Sequence, residues 1–535
     1  MRKLITISVL VLVILLNLSC SKSNDGAKIP KNIIVLVADG MGPQQLSLLY
    51  LYAKHAPHSP MKNQRLHLET LVSHGHTAIM MTNPKNAITV DSAAAASQMA
   101  TGADMFSETI SFAITPDPND PDFFNKKNPG KGTKVPTILE MAQKQGKATG
   151  LISNTRITHA TPAAFAAHTS HRSHENEIAV QLLASGVDVM LAGGLRHWIP
   201  ENFDKKEFNA KHPETRIPED MELSPKQPKD ILLLEKAQKK GYSLVFDRQQ
   251  LEQAASGKLL GLFANSKMPD ELKMRNPGQS WIQNVPTLQQ MTIHSLALLD
   301  QDPDGFFLMV EEGLIDEACH FNDAGMLLHQ LINLENTLGE ILDWMEGRDD
   351  TLLVLVSDHE TGSFGFSYSK TGIKPEDRIW FNFGSFDILD RIYNQKRSYM
   401  EILDIYDTYT PEKEQTPERF AQLVNDNLEF NITINDAQRI LKMFPNHYHV
   451  PGHSYLKINE SNETDDFQEF YVYGTETRGA LIARAIASQQ MTVWGSGTHT
   501  ATPVYAVALG SGSSSFKGII HATDMARLLK KAAGF

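Results

Sequence analysis

The chain has 535 residues, 41% hydrophobic and 21% charged, with a formal net charge of -12. That balance describes a folded globular protein with a large core and room for more than one average domain. The acidic excess, with no broad basic stripe, argues against nucleic acid as the main partner.

The first predicted element lies outside the fold. Arg2 and Lys3 precede an apolar run from Ile5 to Leu16, too short to span a bilayer and suited to a signal peptide. The run continues as Leu16-Asn17-Leu18-Ser19-Cys20, which resembles a bacterial lipobox except at Asn17, where that pattern carries an aliphatic residue. Residues 1–20 are therefore expected to be a signal peptide of lipoprotein type, with Cys20 lipidated as the mature N-terminus. Location in the periplasm, or at the outer membrane or cell surface of a Gram-negative bacterium, follows from that expectation. Cleavage as an ordinary secretory peptide is the alternative. The other cysteine, Cys319, is expected to pack as a small hydrophobe, so no disulfide framework is predicted. Residues 21–30 read as a polar linker.

Lys31 to Gly42 is a continuous apolar run that ends in Asp39 and two glycines, the pattern of a buried strand in a parallel sheet. Open α/β sheets bind ligands beyond the carboxyl ends of their strands, which is where a metal would meet Asp39. A plain turn aspartate is the alternative. Thr89 to Gly102 holds Asp91 and Ser92 ahead of four alanines. Ser92 is predicted at a helix N-terminus, where free amides favour an anion and its hydroxyl can attack phosphorus. An ordinary N-cap serine is the alternative. Gly132 to Gly150 reads as helix then turn, and Ala148 to Ser153 as a short buried strand. That strand leads to His159, Thr161, Pro162 and, about one helix length on, Arg172. A guanidinium there can clamp two phosphate oxygens.

Asp188 to Gly194 reads as another strand. Trp198 to Leu272 is polar and is predicted to be surface insertions without chemistry, and Pro286 to Leu299 has helical periodicity. Gly305 to Asp323 repeats the first device, with a buried strand reaching Glu311. Asp316 and His320 then follow four residues apart, so on a helix they share a face and can grip one ion. A solvated ion pair is the alternative. Asp350 to Gly362 repeats it again and ends in Asp358-His359. Three strands ending in acids call for a cation, because buried unpaired carboxylates are costly. Residues 366–490 look like an insertion, a cap or accessory subdomain near the mouth of the site, with two helical pieces between Phe420 and Phe444. His499 lies in a Gly/Ser/Thr loop. Val504 to Leu509 is predicted as a final strand and Ile519 to Ala533 as a helix.

Taken together, Val-Ala-Asp-Gly-Met-Gly, Asp-Ser-Ala-Ala, His-Ala-Thr-Pro-Ala, Val-Glu-Glu-Gly-Leu-Ile-Asp, Ser-Asp-His-Glu-Thr-Gly and Gly-Thr-His-Thr-Ala-Thr-Pro-Val resemble the alkaline phosphatases, in that family's order. The resemblance runs from about Lys31 to Phe535 apart from the long insertion. It implies a three-layer α/β/α sandwich with a central, mostly parallel sheet, and hydrolysis of phosphate monoesters through a phosphoserine. It also implies two zinc ions, one held by Asp316, His320 and His499 and the other by Asp39, Asp358 and His359. A magnesium ion would be shared by Asp39, Thr161 and Glu311. Ser92 would be the nucleophile and Arg172 the phosphate clamp, oriented by Asp91. Zinc suits imidazole and carboxylate, and magnesium suits oxygen donors. Cobalt or a different third ion fits the same ligands.

One position departs from the family's pattern. Glu317 stands where relatives often carry a lysine or histidine that helps to hold phosphate, and His159 is expected to pair with it. A possible homodimer is a further expectation of the resemblance. A phosphodiesterase of the same superfamily is the alternative activity, although such enzymes tend to use threonine and to lack the third ion. A sulfatase is poorly matched, because alanines follow Ser92. A non-catalytic metal-binding lipoprotein would not need a nucleophile and a clamp.

Overall fold

The structure is a computed structural model that describes residues 28–115, 131–373, 380–453, 456 and 460–535. The expected signal peptide, Cys20 and most of the linker lie outside these residues. Ten strands form one sheet: β1 (Asn32–Ala38), β2 (His76–Met81), β3 (Ala148–Arg156), β4 (Val189–Gly193), β5 (Tyr242–Val245), β6 (Lys258–Leu262), β7 (Phe306–Glu312), β8 (Thr351–Val356), β9 (Val504–Gly510) and β10 (Gly518–His521). Their spatial order is β10-β2-β9-β8-β1-β7-β3-β4-β6-β5. Only β9 runs antiparallel to its neighbours; the other pairs are parallel.

The central strands are apolar along their whole length because both faces are covered. In β1, Ile33, Val35 and Val37 enter one core layer and Ile34, Leu36 and Ala38 the opposite one. Successive side chains of a strand point to opposite faces, so one run of seven residues supplies both layers. The helices that matter for the site are α1 (Ser92–Thr101), α2 (Ala160–Ala166), α3 (Glu175–Ser185), α4 (Leu314–His320), α5 (Ala324–Met345) and α6 (Gly474–Gln490), with α7 (Ala522–Ala533) closing the chain. Among the described residues no helix is long and apolar enough to cross a membrane.

Two expectations are corrected. The stretch from Trp198 to Leu272 is not only surface insertion, because it contributes β5 and β6 to the edge of the sheet. These strands have four and five residues, so they carry little hydrophobic signal against a polar background. The terminal segment is not one helix from Ile519: Gly518–His521 pairs with β2, and the helix starts at Ala522. Among the described residues of 366–490 most regular structure is helical, and Leu389, Phe420, Val424 and Leu481 join the core layer that also holds Leu328 and Leu331 of α5.

Candidate active site

One edge of the sheet gathers the predicted residues. Asp39 follows β1, Glu311 lies near the end of β7, and Asp358 and His359 follow β8. His499 precedes β9, which runs the other way, so it reaches the same edge from its own strand's start. The backbone must turn sharply there. Gly40 sits at φ +74°, and a Cβ on it would lie 2.7 Å from the Asp316 Cα, so both its conformation and the close approach of α4 require glycine. Asp316 and His320 are one turn apart on α4, as their spacing predicts, with His320 Nε2 3.2 Å from Asp316 Oδ2.

Three groups of donor atoms result, each with members within 4.8 Å of one another: Asp316, His320 and His499; Asp39, Asp358 and His359; and Asp39, His159 and Glu311. In the first group, His320 Nδ1 lies 2.8 Å from the Gly497 carbonyl and His499 Nδ1 lies 2.8 Å from the Val90 carbonyl. Donation to those carbonyls fixes both rings with Nε2 lone pairs facing inward, where the two Nε2 atoms stand 3.2 Å apart. In the second group, His359 Nε2 is 3.4 Å from Asp39 Oδ1 and 3.2 Å from Asp358 Oδ2. Both Asp39 oxygens, Asp358 Oδ2, Glu311 Oε1 and Thr161 Oγ1 are buried without a hydrogen-bond partner. Native buried polar atoms are almost always satisfied, so this concentration of orphaned donors fits a cation site.

The electrostatics agree. Burial first, then the charges of Asp358, Asp316 and Glu311, push the Asp39 carboxyl well above its ordinary range. Burial and Asp316 likewise carry Asp358 to about 8. Asp316 is the contrast: burial raises it, but His320 and His499 outweigh burial and hold it well below the carboxylate range. Carboxylates crowded in this way repel unless a positive charge lies among them.

Ser92 begins α1 as predicted. Asp91 is the N-cap and accepts from Ala93 N at 2.9 Å, and Gly102 closes the helix in the left-handed region at φ 79°. Ser92 Oγ lies 3.2 Å from His359 Nε2, a member of the second donor group. Arg172 Nη1 reaches Asp91 Oδ2 at 3.3 Å, and its Nη2 lies 3.0 Å from His159 Nε2.

His159 is not the partner expected for Glu317. It belongs to the third donor group, with Nδ1 3.9 Å from Glu311 Oε1. Glu317 instead receives the ammonium of Lys267, from the loop after β6. Lys267 was out of reach of sequence reasoning, because it comes from the segment read as featureless and meets Glu317 fifty residues on. Tyr473, at the start of α6 in the insertion, was also unforeseen. Its ring stands edge-on to His320, 5.3 Å between centroids. No local signal marks either residue. Cys319 is fully buried and unpaired, as expected.

A family model described as alkaline phosphatase matches residues 30–535. The chain belongs to the alkaline phosphatase family. It is 28% identical over 508 residues to alkaline phosphatase 3 of Bacillus subtilis, covering 94% of this chain and 88% of that one. It is 27% identical over 352 residues to the human tissue-nonspecific isozyme, covering 62% and 63%. In fold it is similar to the crystal structure of Thermus thermophilus alkaline phosphatase, with a TM-score of 0.73 at 23% identity over 96% of this chain and 95% of that one. The family is one of metal-dependent phosphomonoester hydrolases, and the chain is a hydrolase of that class with residue clusters able to bind metal.

Proposed function

We propose that this enzyme hydrolyses phosphate monoesters to an alcohol and inorganic phosphate through a phosphoserine at Ser92, with two zinc ions and one magnesium ion as cofactors. The observation that carries the reading is the place of Ser92 Oγ, at a helix N-terminus and 3.2 Å from His359 Nε2. Asp316, His320 and His499 would hold one zinc, and Asp39, Asp358 and His359 the other. Bound there, zinc supplies positive charge to developing oxyanions and lowers the pKa of oxygens in its reach.

The third group takes an oxygen-liganded ion by the same logic. His159 Nε2 accepts from Arg172 Nη2, so a neutral ring carries its hydrogen on Nδ1, facing Glu311. That tautomer offers no lone pair there, and Asp39, Thr161 and Glu311 remain as oxygen donors that suit magnesium.

The protein's own groups then act in sequence. Arg172, held by Asp91, binds two nonbridging phosphate oxygens bidentately. The N-terminus of α1 faces the same charge. Ser92 Oγ, its proton released to solvent, attacks phosphorus in line; its bond to phosphorus forms as the ester P–O bond breaks, and the leaving alkoxide takes a proton from solvent as the alcohol departs on the side of His320 and His499. Water, giving up a proton to solvent, then attacks from the vacated side; its bond to phosphorus forms as the P–O bond to Ser92 breaks, and the serine oxygen is reprotonated as inorganic phosphate is released. Arg172 and the helix amides face the equatorial oxygens, where transition-state charge is spread.

The test compares an aryl phosphate monoester with the matching diester, before and after chelation and after zinc is returned. Monoester hydrolysis lost on chelation and restored by zinc is the expected result. Preferential diester hydrolysis would overturn it.

Export and a lipid anchor at Cys20 are proposed on the sequence of residues 1–20. In support, Arg2 and Lys3 precede the apolar run and Cys20 follows it directly. Wild type partitioning with membranes while Cys20→Ser stays in the aqueous phase would support the anchor. A homodimer is proposed from the resemblance, and light scattering would read it.

A further inference from the structure

The insertion reaches the pocket beside the first donor group, the side on which the proposed reaction releases the alcohol. Gly497, next to the loop that carries His499, accepts from His320 Nδ1. Gly497 N donates to the Phe470 carbonyl at 3.3 Å, and Ser496 Oγ donates to the same carbonyl at 3.2 Å. A Cβ on Gly497 would lie 2.8 Å from the ring of Tyr471. The segment just before α6 is thus bolted to the loop of the first donor group. Farther along α6, a Cβ on Gly479 would lie 2.6 Å from Phe321, the residue after His320.

These contacts fix which face of α6 meets α4. Gly479 packs on Phe321, and Glu476 lies three residues earlier on the same face. On α4, Glu317 lies four residues before Phe321. Glu476, half-buried, therefore comes toward Glu317 and His320, and these two with Lys267 are the side-chain charges that act on it. Burial first, and Glu317 next, push its carboxyl up. Lys267 is engaged by Glu317 and also touches Met400 of the insertion, with Nζ 2.9 Å from its sulfur. Tyr473 completes the wall with its ring against His320, within electrostatic reach of Arg172. Two carboxylates, one ammonium and an aromatic ring are thus gathered beside the first donor group.

We infer that Glu476 and Tyr473 form a subsite for the alcohol portion of the substrate that selects a leaving group carrying an ammonium over one carrying a second anion. The chemistry is that of cation recognition: a carboxylate left in excess after Lys267 balances Glu317, beside an aromatic edge and face. A phosphate ester of an amino alcohol matches it, whereas a phosphate ester of a hydroxy acid brings its carboxylate against Glu476. This inference rests on the phosphomonoesterase reading.

The experiment measures kcat/KM at pH 9 for phosphoethanolamine, glycerol phosphate, phosphoglycerate and an aryl phosphate. Wild type is compared with Glu476→Gln and Tyr473→Leu, all in the metal-replete enzyme. In wild type, phosphoethanolamine is expected to exceed phosphoglycerate. In Glu476→Gln that ratio should fall about tenfold, ~1.4 kcal/mol of discrimination, while glycerol phosphate stays within about twofold. Tyr473→Leu should lower phosphoethanolamine selectively. Equal use of the ammonium and carboxylate esters by wild type overturns the inference without any variant, as does an unchanged ratio in Glu476→Gln. Absence of aryl phosphate hydrolysis in wild type would instead sink the underlying reading.

Discussion

The two main donor groups share a pocket but solve its electrostatics differently. Asp39, Asp358 and His359 are wholly buried. Asp316, His320 and His499 keep side-chain exposures of 12%, 13% and 11% at the mouth. In the outer group imidazoles offset the single acid: burial lowers His320, but Asp316 outweighs it and carries the ring to about 9. In the inner group two acids face one imidazole, and burial followed by His499 drives His359 well below its ordinary range. The inner group therefore depends on a cation for its balance, and the outer group can balance itself with a proton. The difference teaches that burial alone does not set an acid's state; its nearest partner does.

The sharpest break is at Ser92, beside the inner group. Ser92→Ala should lower turnover by at least about a thousandfold while zinc content stays normal, and near-normal turnover would remove Ser92 from the chemistry. Next comes the contrast itself, read by thermal unfolding of chelated protein. Asp316→Asn removes the partner of two imidazoles and should cost about 3–5 kcal/mol. Asp358→Asn removes one of two repelling acids and should cost less than about 1 kcal/mol or stabilise. Equal losses would erase the distinction drawn between the groups.

A third test concerns the support of His159. Glu175, on the first turn of α3, takes Arg156 Nε at 2.7 Å and Nη2 at 3.2 Å, and the Thr158 hydroxyl at 2.7 Å. Burial raises its carboxyl, but Arg156 outweighs burial and holds it at about 2. A depressed folded pKa gives stability that is complete above the ordinary value near 4.5 and is lost as pH falls toward 2. Glu175→Gln should lose up to about 3 kcal/mol at pH 7 and flatten the acid limb of a stability–pH curve. An unaltered acid limb would assign it elsewhere. The smallest effect is expected at the rim. Glu317→Lys, which frees Lys267 and adds a cation, should tighten inhibition by inorganic phosphate a few-fold, and weaker inhibition would place Glu317 away from bound phosphate.

Much of the pocket was legible before folding because each part carries a local signature. Asp39, Glu311 and Asp358 end apolar runs that cannot be exposed, Asp316 and His320 share a helical face, and Ser92 opens an alanine helix. The strands β5, β6 and β10 were not legible: they lie toward the sheet's edges, are short, and owe their pairing to neighbours rather than to composition.

What the chain's order of residues determined alone is the parallel sheet's centre and the chemistry set along its edge, since burial of apolar runs and the cost of lone buried charge act within a few residues of each other. What only tertiary structure decided is who stands beside whom around the pocket: Lys267 on Glu317, His159 with Glu311, Tyr473 edge-on to His320. Those pairs join segments far apart in the chain, and single side chains of that kind carry no periodic signal that would announce the match.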